Sequence, residues 1–457
     1  MVESRAAYMV HGQENPYILS RFMSEHCLKH AYCRNHVLRT ALVAISLLAG
    51  SVPMNAAGAQ EASAVENAVS EDPAPELQSL LQRTNLLYTP GEVPEYKKKM
   101  HELYGTQWWV NLTYALWSPQ RIRPKVNHTY QMLQSFVMAC QPIIPSRSGG
   151  TWLVAELYGA CDIPRGNKSR YKALEQGLGA AANPSRGTWK GVSIDILELA
   201  IMHFMASGRV CVSAGMLDLS CQFDEVSMAN NPLGNFSNDA FVNSTILPLP
   251  ECNLGCLAQI ELTPPDYIEF GFSRTGCRPG DNPFRDSNVH GCVALAEYGH
   301  YFSDPDAVFR VTPFLDRHRY KREGNSHRHN AGITASIEYT PNDFSEFFMR
   351  TGWAARQELG NAFELSLGTR LHFFSSRPYD YLGLAAALIK GQAPYEEMLE
   401  DGSTQPGHHR EYVLEGVYSF MLARGLRVVP HVQVILDPSY RNVPCETIWG
   451  IQASYTF

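Results

Sequence analysis

Eight polar residues, Glu338, Arg350, Glu364, Arg370, Glu415, Arg427, His431 and Gln433, stand between apolar neighbours in the second half of this chain. If their segments are strands with the large apolar side chains on one face, period-two parity gathers these eight on the other. Guanidiniums facing carboxylates across a water-filled space would form a fixed polar ladder. Such a ladder exchanges water hydrogen bonds for those of a hydroxyl-rich solute without creating a deep well. The alternative is that the charges pair with one another and brace a wall. A symmetric connection centred on residue 360 would place Arg350 and Arg370 at similar heights on neighbouring strands.

Other spacings carry less chemistry. His327 and His329, in RHRYKREGNSHRHN at 317–330, would share one strand face and could hold a metal. The preferred reading is a basic external loop meeting phosphate groups, so no metal is expected. GLGAAA at 177–182 lacks the strand-then-helix context of a phosphate-binding loop. Neither G-x-S-x-G nor H-E-x-x-H occurs, and no catalytic residue or cofactor is expected.

Composition bounds the elements that must position these residues. Of 457 residues 45% are hydrophobic and only 18% charged, which argues against a disordered chain and against a basic nucleic-acid binder. The longest apolar run, ALVAISLLAG at 41–50, is too short for a membrane-spanning helix. It follows Arg34 and Arg39 and precedes Ala57 and Ala59, and so reads as a secretory signal over 1–59. Residues 60–103 read as a periplasmic linker with short polar helices. Export permits disulfides, and Cys277 with Cys292, or Cys252 with Cys256, could staple loops.

From Gln107 onward, within a barrel domain expected over 104–457, the texture becomes period-two alternation in sixteen segments of about 8 to 14 residues. Short connections (ASG, PP, SDP, PND, SSRP, ARG) alternate with long ones. That rhythm is expected of an antiparallel up-and-down β-barrel of about 16 strands crossing an outer membrane, with tight periplasmic turns and long external loops. Hydrocarbon cannot satisfy a free backbone amide, so the sheet must close on itself. ETIWGIQASYTF at 446–457 then becomes the closing strand, with Phe457 at the periplasmic rim as the membrane-insertion signal. The alternative is a secreted all-β adhesin or enzyme of sandwich type.

Sixteen strands enclose a water-filled lumen, and selectivity needs a constriction. The longest connection, 222–255, is the candidate for folding inward. Asp224, Asn230, Asn231, Asn235 and Asn238 offer amides and a carboxylate to hydroxyls, and Phe236 an aromatic face, alongside Phe223 and Phe241. The same Asn-rich segment could merely turn the backbone and seal an external vestibule. Pro430 removes a ladder donor and predicts a local break or bulge in its strand.

Three stretches resemble the carbohydrate-selective porins of the OprB type. EYVLEGVYSFMLARGLRVVPHVQVILDP followed by IWGIQASYTF is similar to that family's C-terminus, matching at Pro430, Gln433, Pro438 and Phe457, with Asp437 where Asn is usual. AGMLDLSCQFDEVSMANNPLGNFSNDAFVN and GTRLHFFSSRPYDYLGLAAAL resemble two further family stretches. The resemblance implies a 16-stranded outer-membrane pore for passive entry of small sugars. The expected partners are carbohydrates, outer-membrane lipid and lipopolysaccharide, and the barrel-assembly machinery during insertion. A general porin, or a barrel lipase or protease, remains the alternative.

Overall fold

The structure, a computed structural model, describes residues 106–456 except 121–128, 147–148, 164–173, 175–177, 186–191, 231–233, 278–279, 286–290, 304–305, 320–326, 356–360, 392–395, 399–403, 407, 424 and 441–442. The secretory signal, the linker at 60–103, Asn231 and Phe457 lie outside the described residues, as does the side chain of His327.

The strands are β1 (Gln107–Pro119), β2 (Tyr130–Ser146), β3 (Gly149–Ile163), β4 (Val192–Met205), β5 (Val210–Leu217), β6 (Asn253–Thr263), β7 (Asp266–Thr275), β8 (Gly291–Ser303) and β9 (Asp306–Arg319). They continue with β10 (His327–Asn342), β11 (Ser345–Ala354), β12 (Asn361–Leu371), β13 (Tyr381–Gly391), β14 (Glu396–Met398), β15 (Thr404–Pro406), β16 (Arg410–Ala423), β17 (Leu426–Leu436) and β18 (Cys445–Thr456). All but β14 and β15, a ribbon of their own in the β13–β16 connection, form one closed barrel of sixteen antiparallel strands. Closure is made by β1 against β18, from Asn111 opposite Thr456 to Pro119 opposite Ile448.

Alternation explains why these segments are strands. In β16, Glu411, Val413, Glu415, Val417 and Ser419 are buried inward, while Tyr412, Leu414 and Leu422 are exposed on the outer face. An outer apolar face and an inner mixed face are what lipid outside and water inside require. The short turns all lie at one rim. One of them runs through Ala206, Ser207 and Gly208, all at positive φ, which reverses the chain within a few residues. Pro430 does not break or bulge its strand: β17 runs through it and it stands opposite Ile451 of β18, and only the β16–β17 ladder skips the rungs beside it, from Val417 opposite His431 to Phe420 opposite Val428 in unchanged register.

Two expectations are corrected. The Cys277–Cys292 bridge does not form, and all nine described cysteines, Cys252 and Cys256 among them, are free thiols. Arg274 is the residue opposite Cys292, so Cys277 lies three positions further along the chain. Cys277 is turned to the other side of β7: its amide donates to Asn253 Oδ1 at 3.1 Å and its carbonyl accepts from Asn253 Nδ2 at 3.3 Å, on the β6 side, whereas Cys292 belongs to β8. The second correction concerns register. Arg350 faces Ser366 and Arg370 faces Glu346, so the β11–β12 hairpin is centred on 358 rather than 360. The two arginines therefore lie four residues apart along the wall, about 13 Å in an extended strand.

The interior is not simply water-filled. The connection 218–252, between β5 and β6, folds into the barrel and packs on the wall. Its Val226, Met228, Phe236, Ala240 and Phe241 join Phe348, Ala385, Val413 and Val417 in one cluster. Leu219, Phe223, Ile246 and Leu247 join Leu257, Val293, Leu295 and Phe314 in another. Leu174 and Leu178 of the β3–β4 connection cover Trp117 and Met132 in the same manner. Burying each such aromatic or aliphatic side chain contributes about 1.5–3 kcal/mol.

Candidate functional site: an inward loop held by wall carboxylates

The loop is shaped by its own short polar residues before the wall touches it. Asp218 accepts from the Ser220 amide at 2.9 Å and starts a single 3-10 turn, Leu219–Cys221. Asn238 accepts from the Ala240 amide at 3.0 Å and caps the one-turn helix Asp239–Val242. These are the N-cap roles for which short polar side chains are favoured. Asp224 sits at φ 58°, the left-handed conformation that Asp tolerates better than most residues.

Wall carboxylates then take the loop's free amides. Glu297 accepts from the Asp224 amide at 3.0 Å, Glu338 from the Ser227 amide at 2.7 Å and Glu364 from the Thr245 amide at 2.6 Å. Glu415 accepts from the amides of Ser237 and Asn238, both at 3.0 Å. Each contact satisfies a backbone donor in a place where no strand partner is available, and a charged acceptor strengthens it.

Arginine makes the reciprocal contact. Arg350, wholly buried, donates from Nε to Asp224 Oδ1 at 2.8 Å and from Nη1 to the Phe241 carbonyl at 2.9 Å. Its Nη2 reaches Asn230 Oδ1 at 2.9 Å and the Asp224 carbonyl at 3.2 Å. Gln433 completes the far side: its Nε2 donates to the Pro184 carbonyl at 2.7 Å, and its Oε1 accepts from Asn238 Nδ2 at 3.0 Å. His431 is buried beside it, with Nδ1 3.7 Å from Glu415 Oε1 and its ring edge-on to Trp117.

Parity thus places all eight wall residues on the inner face, but six of them, Glu338, Arg350, Glu364, Glu415, His431 and Gln433, are buried under the loop. Asp224, Asn230 and Asn238 are likewise spent on holding it. Phe223, Phe236 and Phe241 pack against the wall instead of presenting a stacking face, Phe236 lying 6.0 Å from Phe348. Asn235 Oδ1 accepts from the Tyr381 hydroxyl, as does the Gly234 carbonyl.

Arg370 and Arg427 are different. Both lie near the short-turn rim, with Arg370 4.9 Å and Arg427 5.9 Å from the centre of the Tyr381 ring. Arg370 donates to the loop carbonyls of Ser227 and Met228 at 3.1 and 3.2 Å and pairs with Glu346 at 3.2 Å. Arg427 holds Ser419 Oγ at 2.7 Å. The Arg370 side chain is 14% exposed and that of Glu346 23%, with His372 bonded to Glu346 at 2.9 Å. This cluster combines partly exposed donors and acceptors with the largely buried ring of Tyr381. Glu297, Glu346, His372 and Tyr381 were missed by the initial selection, although Glu297 and Glu346 sit at inward parity and parity alone would have added them.

Residues 278–457 match the family model described as carbohydrate-selective porin, OprB family. The second half of the barrel is of OprB type. The porin resembles the high-pH structure of Pseudomonas putida OprB at TM-score 0.63 and 12% identity, over 79% of this chain and 96% of that one. A Rh. blastica porin mutant aligns at TM-score 0.47 and 10% identity, over 77% of this chain and 100% of its own. No curated protein matches by sequence. Family and fold are those of channels, and a closed porin barrel implies an outer-membrane location.

Proposed function

We propose that this porin carries small carbohydrates, mono- and short oligosaccharides, down their concentration gradient through a lumen narrowed by residues 218–252. The observation that carries this reading is the cluster of Arg370, Arg427, Tyr381, Glu346 and His372 at the loop's inner edge. Guanidinium and carboxylate groups replace water at sugar hydroxyls, and weak multi-site contacts let the solute leave. The six covered wall residues act as the frame that keeps the narrowing open at one size.

The decisive experiment is single-channel conductance of the refolded porin in a planar bilayer, with glucose and then maltose titrated in. Saturable reduction of the open-channel current supports a sugar pore. Large current indifferent to sugar leaves a general porin, and silence from folded protein refutes the pore. Export by the 1–59 signal, a linker at 60–103, a porin domain over 104–457, and Phe457 as the signal read by the barrel-assembly machinery belong to the same proposal. N-terminal sequencing of the mature chain, expected to begin at Gln60, checks the first.

A further inference from the structure

Lys390 on β13 lies directly opposite Arg410 on β16, both at outward parity and both at the long-loop rim. Like charges directly opposite on antiparallel strands are destabilising unless an anion lies between them. Three strands further round the barrel a second basic row stands at the same rim: Arg317 on β9 faces His329 on β10 and, through Cys292 on β8, shares its row with Arg274 on β7. Among the described residues no carboxylate pairs with Lys390, Arg410 or Arg317.

Beneath both groups begins the apolar belt. Leu315, 65% exposed, is the next outward residue below Arg317, and Phe272 the next below Arg274. Leu388 and Tyr412 stand in the same relation to Lys390 and Arg410. At the opposite border Tyr339, Phe344, Phe347 and Phe373 are exposed near the short turns. Among the described residues of the barrel strands the only acid at outward parity is Asp266, at that opposite rim and bonded to His300 and Tyr298. Exposed aromatic side chains thus occur toward both borders, Phe272, Tyr412 and Trp353 on the long-loop side among them, while the Lys390–Arg410 and Arg317–Arg274 rows lie at the long-loop rim.

We propose that Lys390 with Arg410, and Arg317 with His329 and Arg274, are two binding sites on the outer wall for the headgroup phosphates of a phosphorylated glycolipid in the external leaflet. Neighbouring strands lie about 4.8 Å apart, so cations one or two strands apart can hold one phosphate between them or two on the same headgroup. The acyl chains then lie along Leu384, Leu414 and Leu315, and burial there adds to the electrostatic attraction. The sites are independent of which solute passes through the lumen.

The test is native mass spectrometry of the refolded porin in detergent, titrated separately with bisphosphorylated lipid A, fully dephosphorylated lipid A and inorganic phosphate. The porin is expected to retain bisphosphorylated lipid A. The double variant Lys390→Gln/Arg410→Gln, and separately Arg317→Gln, should each weaken retention at least several-fold, and the dephosphorylated lipid should bind no better than the variants do. A charge-keeping exchange, Lys390→Arg with Arg410→Lys, controls for folding and should retain the lipid. Equal retention by wild type and Gln variants, or equal binding of the dephosphorylated lipid, overturns the proposal. So does displacement of the lipid by millimolar inorganic phosphate, which would mark a free-phosphate site.

Discussion

Arg350 of β11 and Asp224 of the inward loop, 126 residues apart in the chain, meet at 2.8 Å with both side chains essentially inaccessible to solvent. The same guanidinium reaches Asn230 and the Phe241 carbonyl, so one wall side chain ties three separated points of the loop. A charge removed from water this completely is maintained only because every contact is made at once.

Replacing Arg350 by Met should leave Asp224 buried with its main counter-charge gone. Breaking one side of a buried pair costs about 3–5 kcal/mol. The expected outcome is a lower thermal transition and a larger, noisier single-channel current, because the loop can then leave the wall. Arg350→Met combined with Asp224→Asn should recover part of the stability, as measured by thermal melting in detergent.

Glu415 offers one oxygen to Ser237 and the other to Asn238. Glutamine at 415 has one acceptor oxygen, so one loop amide loses its partner at a cost of about 1–3 kcal/mol. Limited proteolysis should cut Glu415→Gln near 237 faster than wild type while the barrel itself stays resistant. An unchanged cleavage rate would mean that this clamp does not hold the loop.

A Cβ on Gly450 would lie 1.9 Å from His431 Nε2, so the imidazole occupies the space that any other residue on β18 would need. Gly450→Ala must push His431 toward Glu415 and Trp117. Overpacking of this kind costs about 1–3 kcal/mol. The heat-modifiable shift of the folded barrel on a gel should move to lower temperature, with conductance of the surviving channels little altered.

Arg427 touches Ser419 and the Tyr381 ring but, among the described residues, none of the loop, whereas Arg370 also holds the loop carbonyls at 227 and 228. Arg427→Gln should therefore change sugar block alone, by about five-fold if one sugar hydrogen bond of about 1 kcal/mol is lost. Arg370→Gln should change sugar block and basal conductance together. Identical behaviour of the two variants would remove the distinction drawn between them.

Much of the barrel was legible in the chain because its causes are local. Alternation with period two sets which face each residue takes, so β4 from Val192 and β16 from Arg410 begin where the pattern does, and Glu338, Glu364 and Glu415 point inward as parity requires. The need to leave no backbone donor unpaired in lipid dictates closure, and β18 against β1 supplies it. Register was less legible: the β11–β12 hairpin is centred two residues from where loop symmetry puts it, because side-chain fit across strands rather than loop length decides the pairing.

What only the tertiary structure decided is where residues 218–252 go. Their Asn, Asp and Phe content is compatible with a solvated vestibule, with sugar-facing groups, or with a packed insert. The insert forms because Glu297, Glu338, Glu364 and Glu415, from four different strands, and Arg350, from a fifth, converge on amides and carbonyls more than a hundred residues away in most cases. No local periodicity encodes such convergence. It exists only once the barrel has closed and brought those side chains to one wall.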